Sequence, residues 1–227
     1  MAKAELIKSM KVRLTFTDEI LGTLPGDSEV YKNYLIEKAR KHNRVISQER
    51  EDEELAALDP GEEYEKGVTI FAKEDGQPFA WDYMIKGFFK NACKAMRENS
   101  DAKSAKLTSY KTKIDNCVMI TPVKILYQGV TADDLSICER PLRAQTPQGE
   151  RIALAASEQL PAGAQLEFEI HDLSGKMMSY IPEWLDYGRW NGLGQWHNSG
   201  KGRFTWEDIT DESEEKKAKR GRKPKAE

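Results

Sequence analysis

Hydrophobic and polar residues alternate from position 10 to 17, with Met10, Val12, Leu14 and Phe16 on one side and Lys11, Arg13, Thr15 and Thr17 on the other. A period of two marks a half-buried strand, here with a basic outer face carried by Lys11 and Arg13. After the turn Leu24-Pro25-Gly26, Asp27 and Ser28 are capping residues for a short helix bearing Val30, Tyr31, Tyr34 and Leu35. The pattern fades through KARKHNR, and residues 43–66 read as a loop. A short strand is predicted over 68–72, ahead of the turn Asp75-Gly76. Next comes the strongest helical pattern in the chain: Trp81, Met84, Ile85, Phe88, Phe89, Ala92, Cys93 and Met96 recur at three- and four-residue spacing. So broad an apolar face must pack on a sheet, while Lys86, Lys90, Lys94 and Arg97 line its edges.

A long strand is predicted over 117–127. A hairpin follows at 135–144 and 150–157, joined by Thr146-Pro147-Gln148-Gly149. The strand over 164–172 points Leu166, Phe168 and Ile170 inward. A second helix over 179–190 tolerates Pro182 in its first turn and buries Ile181, Trp184, Leu185 and Gly188 on one stripe. It runs into GLGQWHNSGKG, which feeds a last strand over 203–208. With the helix and acidic loop inserted at 18–72 and the β-hairpin inserted at 135–157 set aside, the order is strand, helix, strand, strand, helix, strand. That order predicts an α+β protein with a ferredoxin-like (RRM-like) βαββαβ core, one sheet face covered by helices and the other open. Residues 1–210 are expected to form a single domain with insertions, and 211–227 a disordered basic tail, too polar to order itself.

Charge alters this picture locally. The chain's formal charge of −3 includes nine acids between 49 and 65 against Arg50, a net −8. Removing that −8 leaves +5 elsewhere, so the acidic balance does not exclude a polyanionic partner. Cys93, Cys117 and Cys138 are too few and too far apart for a metal half-site or an even disulfide set, which points to a reducing compartment. The start has no apolar stretch of signal-peptide length, and no run approaches the ~18 apolar residues of a membrane span. A cytoplasmic location is the expectation, with no membrane partner.

The glycine-rich loop is the most specific feature. Gly192, Gly194, Gly200 and Gly202 are spaced GxGxxxxxGxG, with Trp196, His197 and Lys201 among them and Arg203 just after. Glycines permit positive φ and close backbone approach, so such a loop can wrap a phosphodiester while Lys201 and Arg203 supply charge and Trp196 stacks on a base. A plain helix-to-strand connection with helix-stopping glycines is the alternative. Arg140, Arg143 and Arg151 lie on or beside the hairpin, where they can grip a backbone or touch a neighbouring subunit. In the tail, Arg220, Arg222 and Lys223 approximate an AT-hook core, although Lys223 intervenes before Pro224; non-specific phosphate binding is the safer reading. The three histidines and the carboxylates have no metal-ligand spacing, and no nucleophile elbow or Walker lysine occurs, so no catalytic residue, metal or cofactor is assigned.

The helix, the GxGxxxxxGxG loop and the closing strand resemble the signature of the RAMP superfamily, ferredoxin-like RNA-binding proteins of CRISPR systems. RPLRAQTPQGERIALAASE and EWLDYGRWNGLGQWHNSGKGRFTWE also resemble an uncharacterised family of phage and prophage proteins of Gram-positive bacteria. The RAMP resemblance implies that Gly192 to Gly202 contact nucleic acid. It further implies a non-enzymatic protein on single-stranded DNA or RNA, forming a homo-oligomer along the strand or a subunit of a nucleoprotein complex. Some members are metal-independent endoribonucleases using a histidine near the first helix, a position comparable to His42; a solvated basic helix end is the better reading there. An anti-defence or interaction protein, its acidic loop mimicking nucleic acid, is the third function considered.

Overall fold

The alternation of Met10, Val12, Leu14 and Phe16 places all four in the main core, where none is more than 8% exposed. The computed structural model describes residues 7–26, 68–146 and 149–211, with the backbone alone at 142–146 and 150–153. The expected helix after Asp27, the acidic run, His42 and the basic tail with Arg220, Arg222 and Lys223 lie outside the described residues. Along the chain come β1 (Lys8–Phe16), β2 (Ile20–Leu21), β3 (Leu24–Pro25), β4 (Val68–Ile70), β5 (Ala72–Glu74) and β6 (Gln77–Trp81). Then follow α1 (Asp82–Met96), α2 (Tyr110–Cys117), β7 (Val118–Thr121), β8 (Lys124–Gln128), β9 (Ser136–Thr146) and β10 (Gly149–Leu160). The described elements end with β11 (Gln165–Asp172), α3 (Ile181–Asp186) and β12 (Phe204–Asp208).

The central sheet runs β12-β1-β11-β8-β6-β5, with β7 also paired to β11. Its inner strands are antiparallel: Val12 stands opposite Phe168 on one side and Asp208 on the other. Counting only the core strands, β1, then β7 with β8, then β11, then β12, the spatial order is four-one-three-two. This is the ferredoxin-like α+β arrangement. α1 and α3 cover one face. Phe89 packs 5.7 Å from Trp184 of α3, and Phe88 lies 5.2 Å from Phe204 of β12, ring centre to ring centre.

Several boundaries differ from the sequence reading. The expected strand over 117–127 is divided: Cys117 ends α2, and Pro122, which has no N–H to give to a ladder, separates β7 from β8. The two then meet different stretches of β11, β7 at 169–172 and β8 at 165–166. Trp81 is the last residue of β6 rather than part of the helix. The helix expected over 179–190 is α3 plus a 3-10 turn over Tyr187–Arg189. The described part of the insertion at 18–72 also holds the short strands β2, β3 and β4. β2, β4 and β3 join β10 in a second sheet, and β9 pairs with β10 from Gly149 to Gln159 as a long ribbon.

A buried ion pair ties that ribbon to the body. Glu158 of β10 accepts the Phe71 N–H at 2.8 Å and the Lys73 ammonium at 2.9 Å, with both side chains at least 90% buried. Between β5 and β6, Asp75 and Gly76 both have positive φ, the two-residue turn that matches the twist of a hairpin.

Phe89 is fully buried beneath α1. Replacing it with Ala should cost about 3–5 kcal/mol in urea denaturation; an unchanged midpoint would contradict the packing of α1 on the sheet.

Candidate nucleic-acid interface

The connection from α3 to β12 lies flat on the body because side chains are missing where they would collide. A Cβ on Gly188 would stand 2.2 Å from the Phe204 ring, and one on Gly192 would stand 2.0 Å from the carbonyl carbon of Gly202. One on Gly202, at φ +68°, would stand 1.8 Å from the Leu193 carbonyl oxygen. Hydrogen bonds close the neck: Leu193 N–H donates to Gly202 O at 2.9 Å, Gly202 N–H to Glu19 O at 2.8 Å, and Thr17 N–H to Arg203 O at 2.9 Å. This corrects the expectation for Gly192 and Gly202. Both are buried, and the close approach they permit is between the two arms of the loop rather than to a phosphate.

Beyond the neck, residues 194–200 form a projecting turn. Gly194 and Gly200 have φ near +90°, Trp196 is left-handed at φ +53°, and a 3-10 turn spans His197–Ser199. The structure brings this turn against β9. The Arg140 guanidinium sits 4.7 Å from the centre of the Trp196 ring and donates to Ser199 Oγ at 2.6 Å. Such a cation–π contact fixes the orientation of both partners and leaves Trp196 half-buried, not free. His197 Nδ1 lies 3.3 Å from the Gly194 carbonyl, which can only accept, so that nitrogen carries the proton.

The other cations of the loop are more committed than the sequence suggested. Lys201 reaches Glu19 Oε2 at 3.1 Å and Gln159 Oε1 at 3.2 Å, pinning the loop to β10. The Glu19 carboxyl is held below its usual range by its own backbone N–H first and by Lys201 second. Arg203 lies along Gly200, 3.2 Å from where a Cβ would be, and its Nε is buried with no acceptor among the described residues. Arg143 lies opposite Ile152 in the β9–β10 ribbon, and its side chain is outside those described.

On the open face of the central sheet the cations are paired across strands. Its expected basic residues are neutralised by β11 and β12: Arg13 pairs with Glu167 at 2.8 Å and Glu207 at 3.5 Å, and Lys11 with Glu167 at 3.5 Å. Partial burial pushes the Glu167 carboxyl up, but the hydrogen bond and charge of Arg13, with Lys11, outweigh it and leave the group below its ordinary value. The open-face positions of β1 and β11 carry no Phe, Tyr or Trp, so these two strands offer no stacking platform. His171 projects from this face between two hydroxyls, Ser9 Oγ at 2.7 Å from Nδ1 and Thr121 Oγ1 at 2.9 Å from Nε2. Among the described residues no three His, Cys, Asp or Glu side chains group as metal ligands, and no helix is long and apolar enough to cross a membrane.

One exposed aromatic escaped the sequence reading. Trp190 is 76% exposed, the most exposed large hydrophobic residue of those described. At 100° per residue it lies half a turn away from Ile181, opposite the buried stripe of α3, and that offset was the available signal.

No protein-family model and no curated protein matches the sequence. Among solved structures, the chain is similar to one in the cryo-EM structure of the Type III-B Cmr-beta bound to cognate target RNA. That match has 12% identity and a TM-score of 0.47, and covers 89% of this chain and 59% of that one. This chain therefore spans about three-fifths of the length of that neighbour. It is also similar to Cmr6 from Pyrococcus furiosus, with 10% identity, a TM-score of 0.45, and coverage of 88% of this chain and 98% of that one.

Gly192→Ala and Gly202→Ala should each cost about 3 kcal/mol or more, since backbone atoms must move. Gly200→Ala, which meets only the Arg203 side chain, should cost about 1–2 kcal/mol for its left-handed φ. Equal midpoints in urea for all three would contradict the neck. Because Glu167 has a lower pKa folded than unfolded, its contribution to stability is present above the unfolded value and is lost as the pH falls through the folded one, below the ordinary glutamate range. A profile of Tm against pH should show a shallower acid limb for Arg13→Ala than for wild type.

Proposed function

We propose that this chain binds single-stranded nucleic acid, without catalysis, through the turn at 194–200 together with the adjoining part of β9, and that it works as a subunit of a nucleoprotein assembly. The observation that carries this reading is the contact of Arg140 with Trp196 and Ser199, which gathers an indole ring, a guanidinium and a backbone turn in one place. A guanidinium has five N–H donors, more than Ser199 takes, and is suited to a phosphate. An indole ring can stack only on a base that is not already paired, which favours a single strand over a duplex, and stacking serves DNA and RNA alike.

In this reading the residues play different parts. Trp196 supplies stacking and Arg140 supplies charge. Gly192, Gly202 and Lys201 hold the turn in place through the neck and the Glu19–Lys201–Gln159 bridge. Arg203 and His197 flank the turn, with Arg143 further along the ribbon. Lys11 and Arg13 belong to the sheet's internal ion pairs and take no part. The tail cations Arg220, Arg222 and Lys223 add affinity as point charges without setting specificity.

In fluorescence-anisotropy titrations with labelled oligo(dT) and oligo(U), Trp196→Ala should weaken binding by about 1–3 kcal/mol. Arg140→Ala should lower the slope of log affinity against log salt by about one. Lys11→Ala should leave binding unchanged. Wild-type affinity in folded Trp196→Ala and Arg140→Ala variants would overturn the proposal.

A further inference from the structure

On the helical side of the molecule a cleft of about 370 Å³ opens between the C-terminal end of α1 and α3. Met96, Pro182, Tyr187 and Trp190 make most of its wall, and Lys103, Glu183 and Asp186 complete it. The two carboxylates outnumber the one ammonium, and both are held firmly. Glu183 accepts the backbone N–H groups of Lys103 at 2.6 Å and Ser104 at 3.1 Å, and Asp186 Oδ1 accepts the Trp206 indole N–H at 2.9 Å. Lys103 Nζ is turned towards the Ser179 carbonyl, at 3.4 Å. A Trp ring left 76% exposed beside an apolar wall and fixed carboxylates fits an extended segment bearing Lys or Arg, whose cations can lie over the indole.

The chain supplies such a segment. Residues 216–225 hold seven Lys and Arg and no acid. The hydrogen bond from Trp206 to Asp186 sets β12 beside the cleft, and the described chain ends at Asp211, five residues beyond Trp206. Lys216 lies five residues further, a reach of up to about 17 Å, and Arg222 eleven residues further, up to about 37 Å. We propose that the cleft lined by Tyr187, Trp190, Glu183 and Asp186 is a docking site for the basic segment 216–225 of the same chain. Docked there, the tail's cations are withheld from other polyanions until one outcompetes the cleft. The proposal does not depend on the reading of the turn at 194–200.

The test uses a labelled peptide of residues 212–227 and the protein lacking those residues, followed by anisotropy without nucleic acid. The peptide should bind, and should weaken at 0.5 M salt, where the Debye length falls to about 4 Å and exposed charge pairs are screened. Trp190→Ala should weaken it about two- to fivefold, the worth of an exposed cation–π contact. The full-length chain, its cleft already occupied, should take up the peptide at least tenfold more weakly than the truncated protein. Equal binding by Trp190→Ala, equal uptake by full-length and truncated protein, or no binding at all would each overturn the proposal. So would weakened oligonucleotide binding by Trp190→Ala in the truncated protein, which would make the cleft a nucleic-acid site instead.

Discussion

At three positions between α3 and β12 there is no room for a side chain: Gly188 faces the Phe204 ring, Gly192 faces the Gly202 backbone and Gly202 faces the Leu193 carbonyl, at distances no Cβ tolerates. That constraint brings the two arms of the loop together, lets Leu193 bury itself, and lets Gly202 bond to Glu19. With the neck closed, the seven residues from Gly194 to Gly200 must project, and they do so where β9 passes. The contact of Arg140 with Trp196 and the bridge from Lys201 to β10 follow from that placement. A flexible connection of the same composition would hold none of these groups in a fixed relation.

The glycines therefore serve in two ways that sequence spacing alone does not separate. Spacing marks where close approach occurs but not what approaches. At Gly192 and Gly202 it is the chain itself; at Gly194, Ile20 and Leu21 lie against the open side, and at Gly200 only the Arg203 side chain does. Period and composition were enough for the ferredoxin-like order, because each core strand and helix buries a face of its own: β1 through Met10 to Phe16, α1 through Ile85 to Cys93, β11 through Leu166 to Ile170. The second sheet was not legible. β2 and β3 are two residues long, too short to show a period, and β4 finds β10 only through parallel pairing across nearly ninety positions of chain. α2 went unread for a related reason, since Tyr110 and Ile114 are its only buried side chains.

Charge was the least legible property. Lys11 and Arg13 form a basic stripe on β1 considered alone, but the register with β11 and β12 sets Glu167, Glu169 and Glu207 against them. The neutralisation is a property of strand order, which local pattern cannot supply. The same holds for Lys73 and Glu158, ordinary surface residues by type that become a buried pair once β10 lies beside Phe71. Conversely, the convergence of Arg140 with Trp196 joins two features that are 56 positions apart and were read separately.

On the proposed function, the turn at 194–200 and the neighbouring part of β9, rather than the open sheet face, meet the strand. Photocrosslinking a single strand carrying 4-thiouridine or 4-thiothymidine to the full-length protein, with the adducts located by mass spectrometry, tests this most directly. Adducts concentrated in peptides containing Trp196 and Arg140 are predicted. Adducts concentrated on β1 and β11 around Lys11, Arg13 and His171, with the turn unlabelled, would contradict it.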